Sequence, residues 1–123
     1  MATQPLAAPR GLVLQLEERI DESVVHCSGT ITAENCEVFN SKIRELIPQS
    51  RGHATAITCR IVLDLSRVTR IDSTGLGALL GAWTAAQKRS CELEIANINP
   101  RVQNVVDATK LDTVFKKLRD IFQ

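Results

Sequence analysis

Asp72-Ser73-Thr74-Gly75-Leu76-Gly77 sets one carboxylate and two hydroxyls immediately ahead of an apolar pattern. Leu76, Leu79, Leu80 and Trp83 recur at i, i+3, i+4 and i+7, one face of a helix, while Gly77, Ala78, Gly81, Ala82 and Ala85 make its other side small. Upstream, Ile61, Val62, Leu63 and Leu65, broken only by Asp64, read as a strand buried on both faces, with residues 66–70 a polar connection. The three oxygen-bearing side chains therefore stand at a strand-to-helix corner, on the helix N-terminus. The first helical N–H groups lack internal partners, and the aligned peptide dipoles leave partial positive charge there. Asp72 or Ser73 can cap those donors, and a phosphate added to a hydroxyl would find the same field favourable. Gly75 and Gly77 remove side-chain cover, which admits close approach of another protein or tight helix packing. The plain alternative is that Asp72 or Ser73 does no more than cap the helix.

Other constellations point away from catalysis. Gly75-x-Gly77 lacks the third glycine of a dinucleotide loop, and no G-x-x-x-x-G-K-[ST] phosphate loop occurs. Ser73 is not in a G-x-S-x-G elbow, and Asp72 has no second copy to complete a carboxylate pair. Cys27, Cys36, Cys59 and Cys91 are scattered, without a C-x-x-C pair or a histidine at metal-ligand spacing. They read as reduced, mostly buried thiols of a cytoplasmic protein, with no metal and no cofactor expected. His26, in a strand, and His53, in a loop, read as structural or exposed. A formal net charge of +1 speaks against an electrostatic nucleic-acid binder, and Lys116, Lys117 and Arg119 read as a solvated helix face. No apolar run approaches membrane-spanning length, and the first nine residues do not resemble a secretory signal.

The corner needs a scaffold, and 123 residues suit one domain. Residues 1–10, with Pro5 and Pro9, read as a flexible arm, and residues 11–123 as the domain. Leu12, Leu14 and Leu16 alternate with Val13, Gln15 and Glu17 as a half-buried strand. A charged turn over residues 19–23 leads to a second strand, antiparallel because the connection is short, ending at Gly29. Thr32 is a candidate N-cap for a helix to Ile47 that buries Cys36, Phe39, Ile43, Leu46 and Ile47, and Pro48 ends it. Residues 49–60 read as an exposed loop. After the central unit, Glu92-Leu93-Glu94-Ile95 alternates as a strand near an edge, and Pro100 opens a short helix through Val102, Val105 and Val106. Leu111, Val114, Phe115, Leu118, Ile121 and Phe122 trace a terminal amphipathic helix, with any last strand before it short or absent.

Asp64-Leu65-Ser66-x-Val68-x-x-Ile71-Asp72-Ser73-Thr74-Gly75-Leu76-Gly77 closely resembles the signature of the STAS (sulfate transporter and anti-sigma factor antagonist) domain. Within that family it is most similar to the small bacterial anti-sigma factor antagonists. Gly29-Thr30-Ile31 matches a second family feature, although Thr30 and Thr32 stand where acidic residues are common. The resemblance implies a single α/β domain, with a mixed four- to five-stranded sheet, an antiparallel first strand and about four helices. It implies a non-enzymatic module that binds an ATP-dependent anti-sigma serine/threonine kinase and is switched off by phosphorylation at Thr74, with Ser73 the second candidate. A phosphatase would reverse the modification. The implied partner surface comprises Gly29, Thr30, Ile31, Asp72, Ser73, Thr74, Gly75, Leu76 and Gly77. Thr at position 74 keeps a second class open: a STAS scaffold subunit of a signalling assembly or of a membrane-transport complex. Oligomeric state stays open.

Overall fold

The structure is a computed structural model and describes residues 3–7, 10–47, 59–100 and 102–104. Within them lie β1 (Thr3–Ala7), β2 (Leu12–Glu18), β3 (Ser23–Ile31), α1 (Cys36–Leu46), β4 (Cys59–Ile71), α2 (Ser73–Lys88) and β5 (Cys91–Ala96). The strands form one sheet in the order β1-β2-β3-β4-β5. β1, β2 and β3 pair antiparallel, whereas β3, β4 and β5 run parallel, each parallel step crossed by a helix. A mixed α/β fold with antiparallel opening strands, and with β5 at an edge among the described strands, agrees with the sequence reading. The terminal helix, any last strand, His53 and most of the 49–60 connection lie outside the described residues.

Alternation sets the two faces of the sheet. Leu12, Leu14, Leu16, Val25, Cys27, Ile61, Leu63, Leu65 and Leu93 join Phe39 and Ile43 of α1 and Leu76, Leu79, Ala82, Trp83 and Ala86 of α2 in one buried core. Burying a side chain of that size contributes roughly 1.5–3 kcal/mol, which fixes the register, because a one-residue slip would turn the core-facing set to the other face. Ala82, read from the sequence as part of the small outer side, lies fully inside this core.

Four differences from the sequence reading have physical causes. Thr3–Ala7, read as a loose arm, pairs with β2 as an edge strand, a place that tolerates Pro5 because its missing N–H need not face a partner. β4 does not stop at Leu65 but runs through the polar 66–70 stretch to Ile71. Register irregularities against β3 return Val68 and Ile71 to the core. Nor is β4 buried on both faces: Arg60, Val62 and Asp64 on its other side are only half-buried. Finally, α1 starts at Cys36, not at Thr32. Asn35, 1% exposed, occupies the intervening turn. Its side chain donates to the Arg10 and Thr30 carbonyls (2.6 and 2.9 Å) and accepts from the Thr32 N–H (3.0 Å).

The cysteine reading requires a correction. Cys59 and Cys91 are joined by a disulfide, and only Cys27 and Cys36 of the four are free, both buried. The two bonded residues open β4 and β5 and face each other across the parallel ladder, with Cα atoms 4.6 Å apart, within bridging range. That pairing follows from strand register, which a separation of 32 residues conceals in the sequence.

Candidate functional site

Asp72 is the hinge of the corner. Its backbone is extended (φ −104°, ψ −179°), and its Oδ1 accepts the Gly75 N–H at 2.7 Å, satisfying one of the unpaired donors of α2. Its Oδ2 accepts the Ala33 N–H at 3.2 Å, and its own N–H donates to the Ile31 carbonyl at 3.3 Å. One carboxylate thus ties the start of α2 to the turn that leads into α1. This decides between the two sequence candidates for the cap: Asp72 caps, and Ser73 and Thr74, the first two helical residues, are exposed.

The β3 end and the corner, more than forty residues apart in sequence, meet here. An added Cβ at Gly75 would fall 2.1 Å from the Ile31 carbonyl oxygen, so only glycine lets α2 lie this close to β3. Gly29 is similarly constrained: its φ is +107°, and an added Cβ would fall 2.0 Å from the Gly11 carbonyl oxygen. Gly77 differs: it is exposed, and nothing lies within 4 Å of an added Cβ. Of the nine residues read as partner surface, Ile31, Gly75 and Leu76 are buried beneath the corner. Gly29, Thr30 and Asp72 are half-buried, while Ser73, Thr74 and Gly77 reach solvent.

Two hollows lie at the corner. Thr74 borders one of about 410 Å³ with Glu37, Asn40 and Ser41 of α1, where the Asn40 amide donates to the Ala78 carbonyl at 3.0 Å. The other, of about 280 Å³, is lined by Arg10, Thr30, Thr32, Glu34, Arg70 and Asp72 itself. The first sets the exposed Thr74 hydroxyl among Glu37, Asn40 and Ser41 at the N-terminal end of α2.

A family model described as the STAS domain matches residues 13–123. The chain belongs to the STAS domain family. An anti-sigma F factor antagonist from Paenibacillus polymyxa is 24% identical over 100 residues, covering 81% of this chain and 80% of the relative. An anti-sigma factor antagonist from Mycobacterium paratuberculosis shares the fold with a TM-score of 0.69 at 24% identity, over 89% of this chain and 86% of that one. The murine Solute Carrier 26 family member A9 anion transporter matches with a TM-score of 0.61 at 22% identity, over 75% of this chain and 14% of that one. At such identities these structural likenesses speak for the fold alone.

The STAS sheet carries a second polar cluster, on the face away from the helices. His26, read as structural or exposed, is half-buried between two carboxylates: its Nδ1 lies 2.8 Å from Asp64 Oδ2 and its Nε2 2.9 Å from Glu17 Oε1. Only the imidazolium donates at both nitrogens. Glu17 and Asp64 raise the His26 pKa against the opposing effect of burial. Hydrogen bonds from Arg19 and His26 pull the Glu17 pKa down to about 2. Burial works against ionisation of Asp64, but the Ser66 N–H, His26 and Asn97 outweigh it and lower its pKa. Neither this cluster nor the buried Asn35 gives a periodic signal, and β3–β4 register is what pairs His26 with Asp64. Among the described residues no group of His, Cys, Asp and Glu could hold a metal, and no helix is long and apolar enough to cross a membrane.

Proposed function

We propose that this STAS domain is an anti-sigma factor antagonist: it binds an anti-sigma serine/threonine kinase through the Asp72 corner and is released when that kinase phosphorylates Thr74. The observation that carries the reading is the exposed Thr74 hydroxyl, held on a capped helix N-terminus beside the open Gly77. The hydroxyl is the substrate and the nucleotide is the partner's, so the chain itself performs no chemistry. Phosphorylation adds roughly −1.5 to −2 charges and three acceptor oxygens. The field of α2 favours that charge, so the domain has no reason to unfold. A partner surface shaped around a neutral hydroxyl would instead have to desolvate a dianion, and it would lose affinity. The polymyxa relative, named for this role and matched over most of its length, supports the reading.

The partner surface combines Ser73, Thr74 and Gly77 with Thr30, while Gly29, Ile31, Gly75 and Leu76 hold the backbone in place beneath it. A phosphatase acting on the same exposed corner completes the cycle, in the cytoplasm where sigma factors work. Intact-mass analysis of the protein from its own cells tests this directly: one phosphate is expected, mapping to Thr74. Thr74→Ala should bind the kinase but resist modification, Thr74→Glu should bind poorly, and Ser73→Ala should still be phosphorylated. Phosphate on Ser73 alone would move the switch by one residue. No phosphate under any growth condition would favour the scaffold reading.

A further inference from the structure

The disulfide has no role in the switch described above, yet its placement is specific. Cys59 begins β4 and Cys91 begins β5, so the bond closes a loop containing β4, the Asp72-Ser73-Thr74 corner and all of α2. It also sits at the opposite end of α2 from the corner: α2 ends at Lys88, and Ser90 (φ +56°) turns the chain directly into Cys91. A helix of 16 residues spans about 24 Å, so one rigid rod runs from the bond to the hydroxyls. Among the described strands β5 is the last of the sheet, held by β4 on one side, and α2 packs across both strands. The bond thus clasps the edge that supports the far end of the rod.

We propose that Cys59–Cys91 is a reversible redox clasp on the β4–α2–β5 unit, opened by a dithiol reductant, and that its opening loosens α2 and the hydroxyl corner it carries. The regulatory half of the proposal rests on the partner-switching reading, because a disulfide in a reducing compartment is a transient, sensing bond rather than a permanent staple. The chemistry balances as dithiol exchange. A reductant thiolate attacks the Cys59 sulfur, the less buried of the two, and Cys91 leaves as a thiolate that takes up a proton. The second reductant thiol then resolves the mixed disulfide, freeing Cys59. Two electrons reach the protein, and the reductant ends as its own disulfide. The other cysteines stay out of this exchange: Cys27 and Cys36 are buried, and burial pushes the Cys27 thiol up to about 12.

The test uses the full chain equilibrated in dithiothreitol redox buffers, with thiols trapped by an alkylating agent and located by mass spectrometry. Under native oxidising conditions Cys59 and Cys91 should be protected, and both should become alkylated together on reduction, with the far-UV spectrum retained. Hydrogen exchange should then be at least tenfold faster in the reduced form for the amides of β5, the last turns of α2, and the bonded Asp72 and Gly75 amides of the corner. A Cys59→Ser/Cys91→Ser variant should exchange like the reduced protein whatever the buffer; if it does not fold, the reversible wild-type titration decides. Three results overturn the proposal: Cys59 and Cys91 alkylated in oxidised native protein, a bond that opens only on unfolding, or equal exchange across residues 71–91 in both forms. These readouts need no kinase, so they can fail while Thr74 phosphorylation stands, and the reverse.

Discussion

Gly75→Ala is the sharpest perturbation of the corner, because the structure states what the added methyl meets. The Cβ would lie 2.1 Å from the Ile31 carbonyl oxygen, 2.8 Å from its carbon and 3.0 Å from Ile71 Cγ1. A carbon and a carbonyl oxygen sit comfortably at roughly 3.3–3.6 Å, so α2 must retreat from β3 by more than about 1 Å. The obstacle is backbone in the buried strand end, not a side chain that can rotate away. The same carbonyl accepts the Asp72 N–H, so the retreat also strains the capped turn. Overpacking of this kind costs roughly 1–3 kcal/mol, and the helix propensity of alanine returns at most about 1 kcal/mol. At roughly 3–5 °C of Tm per kcal/mol for a chain of this size, the net loss is several degrees. Gly77→Ala is the control two residues away: with nothing within 4 Å of its Cβ, it should hold or gain up to about 1 kcal/mol. Thermal melts of both variants by circular dichroism make the comparison. If Gly75→Ala melts with the wild type, α2 does not approach β3 as described, and the placement of the hydroxyls is wrong with it.

Further expectations follow from the same contacts. Gly77→Leu should fold normally yet bind the anti-sigma kinase poorly, and normal binding would move the partner surface elsewhere. Asp72→Ala, which loses the cap on Gly75 N–H and the tie to Ala33, should cost about 0.5–2 kcal/mol in denaturant melts, and Asp72→Asn should recover part of it. The His26 pKa is raised in the fold, so its contribution is full below the unfolded value near 6.5 and is lost as pH rises through the folded one. Glu17, pulled down to about 2, and Asp64, also lowered, are shifted the other way, and the contribution of each is lost as pH falls through its folded value. His26→Gln should flatten the loss on the alkaline side, and unchanged pH dependence would rule the cluster out as its source. By chain entropy, a bond closing 32 residues contributes roughly 3–4 kcal/mol, so reductant should lower the Tm by about 10 °C or more.

How much of this was legible in the sequence depended on the range of the signal. Local periodicity carried β2, β5 and the apolar face of α2, and capping chemistry together with the family motif carried the corner. What stayed hidden was non-local. β1 has no alternation and is a strand only because β2 offers it an edge. The polar letters of residues 66–70 suggest a loop, but pairing with β3 and a register irregularity make them strand. Asn35 is an ordinary turn residue until three partners from different segments converge on it. The Cys59–Cys91 bond and the His26–Asp64 pair are both facts of parallel register, and register cannot be counted from spacing along one chain. The cysteine reading failed for that reason: it inferred a redox state from compartment and motif, while strand geometry brought the two sulfurs together.

The corner also shows why one short motif serves two masters. Along α2, adjacent residues point about 100° apart, so Asp72 to Gly77 cannot all face the same way. The structure uses this division: Gly75 and Leu76 pack inward against β3 and the core, while Ser73, Thr74 and Gly77 turn outward. Asp72 stands between the sets and spends both carboxylate oxygens on backbone N–H groups. A change at an inward position should therefore lower stability and binding together, since the outward residues ride on the same backbone. A change at Ser73, Thr74 or Gly77 should alter binding with stability left almost intact. Measuring Tm and kinase affinity across Asp72→Ala, Gly75→Ala, Thr74→Glu and Gly77→Leu separates the two classes. A Thr74→Glu or Gly77→Leu protein that melts early would show that the outward residues are structural as well, and the corner would then be a packing motif rather than a recognition surface.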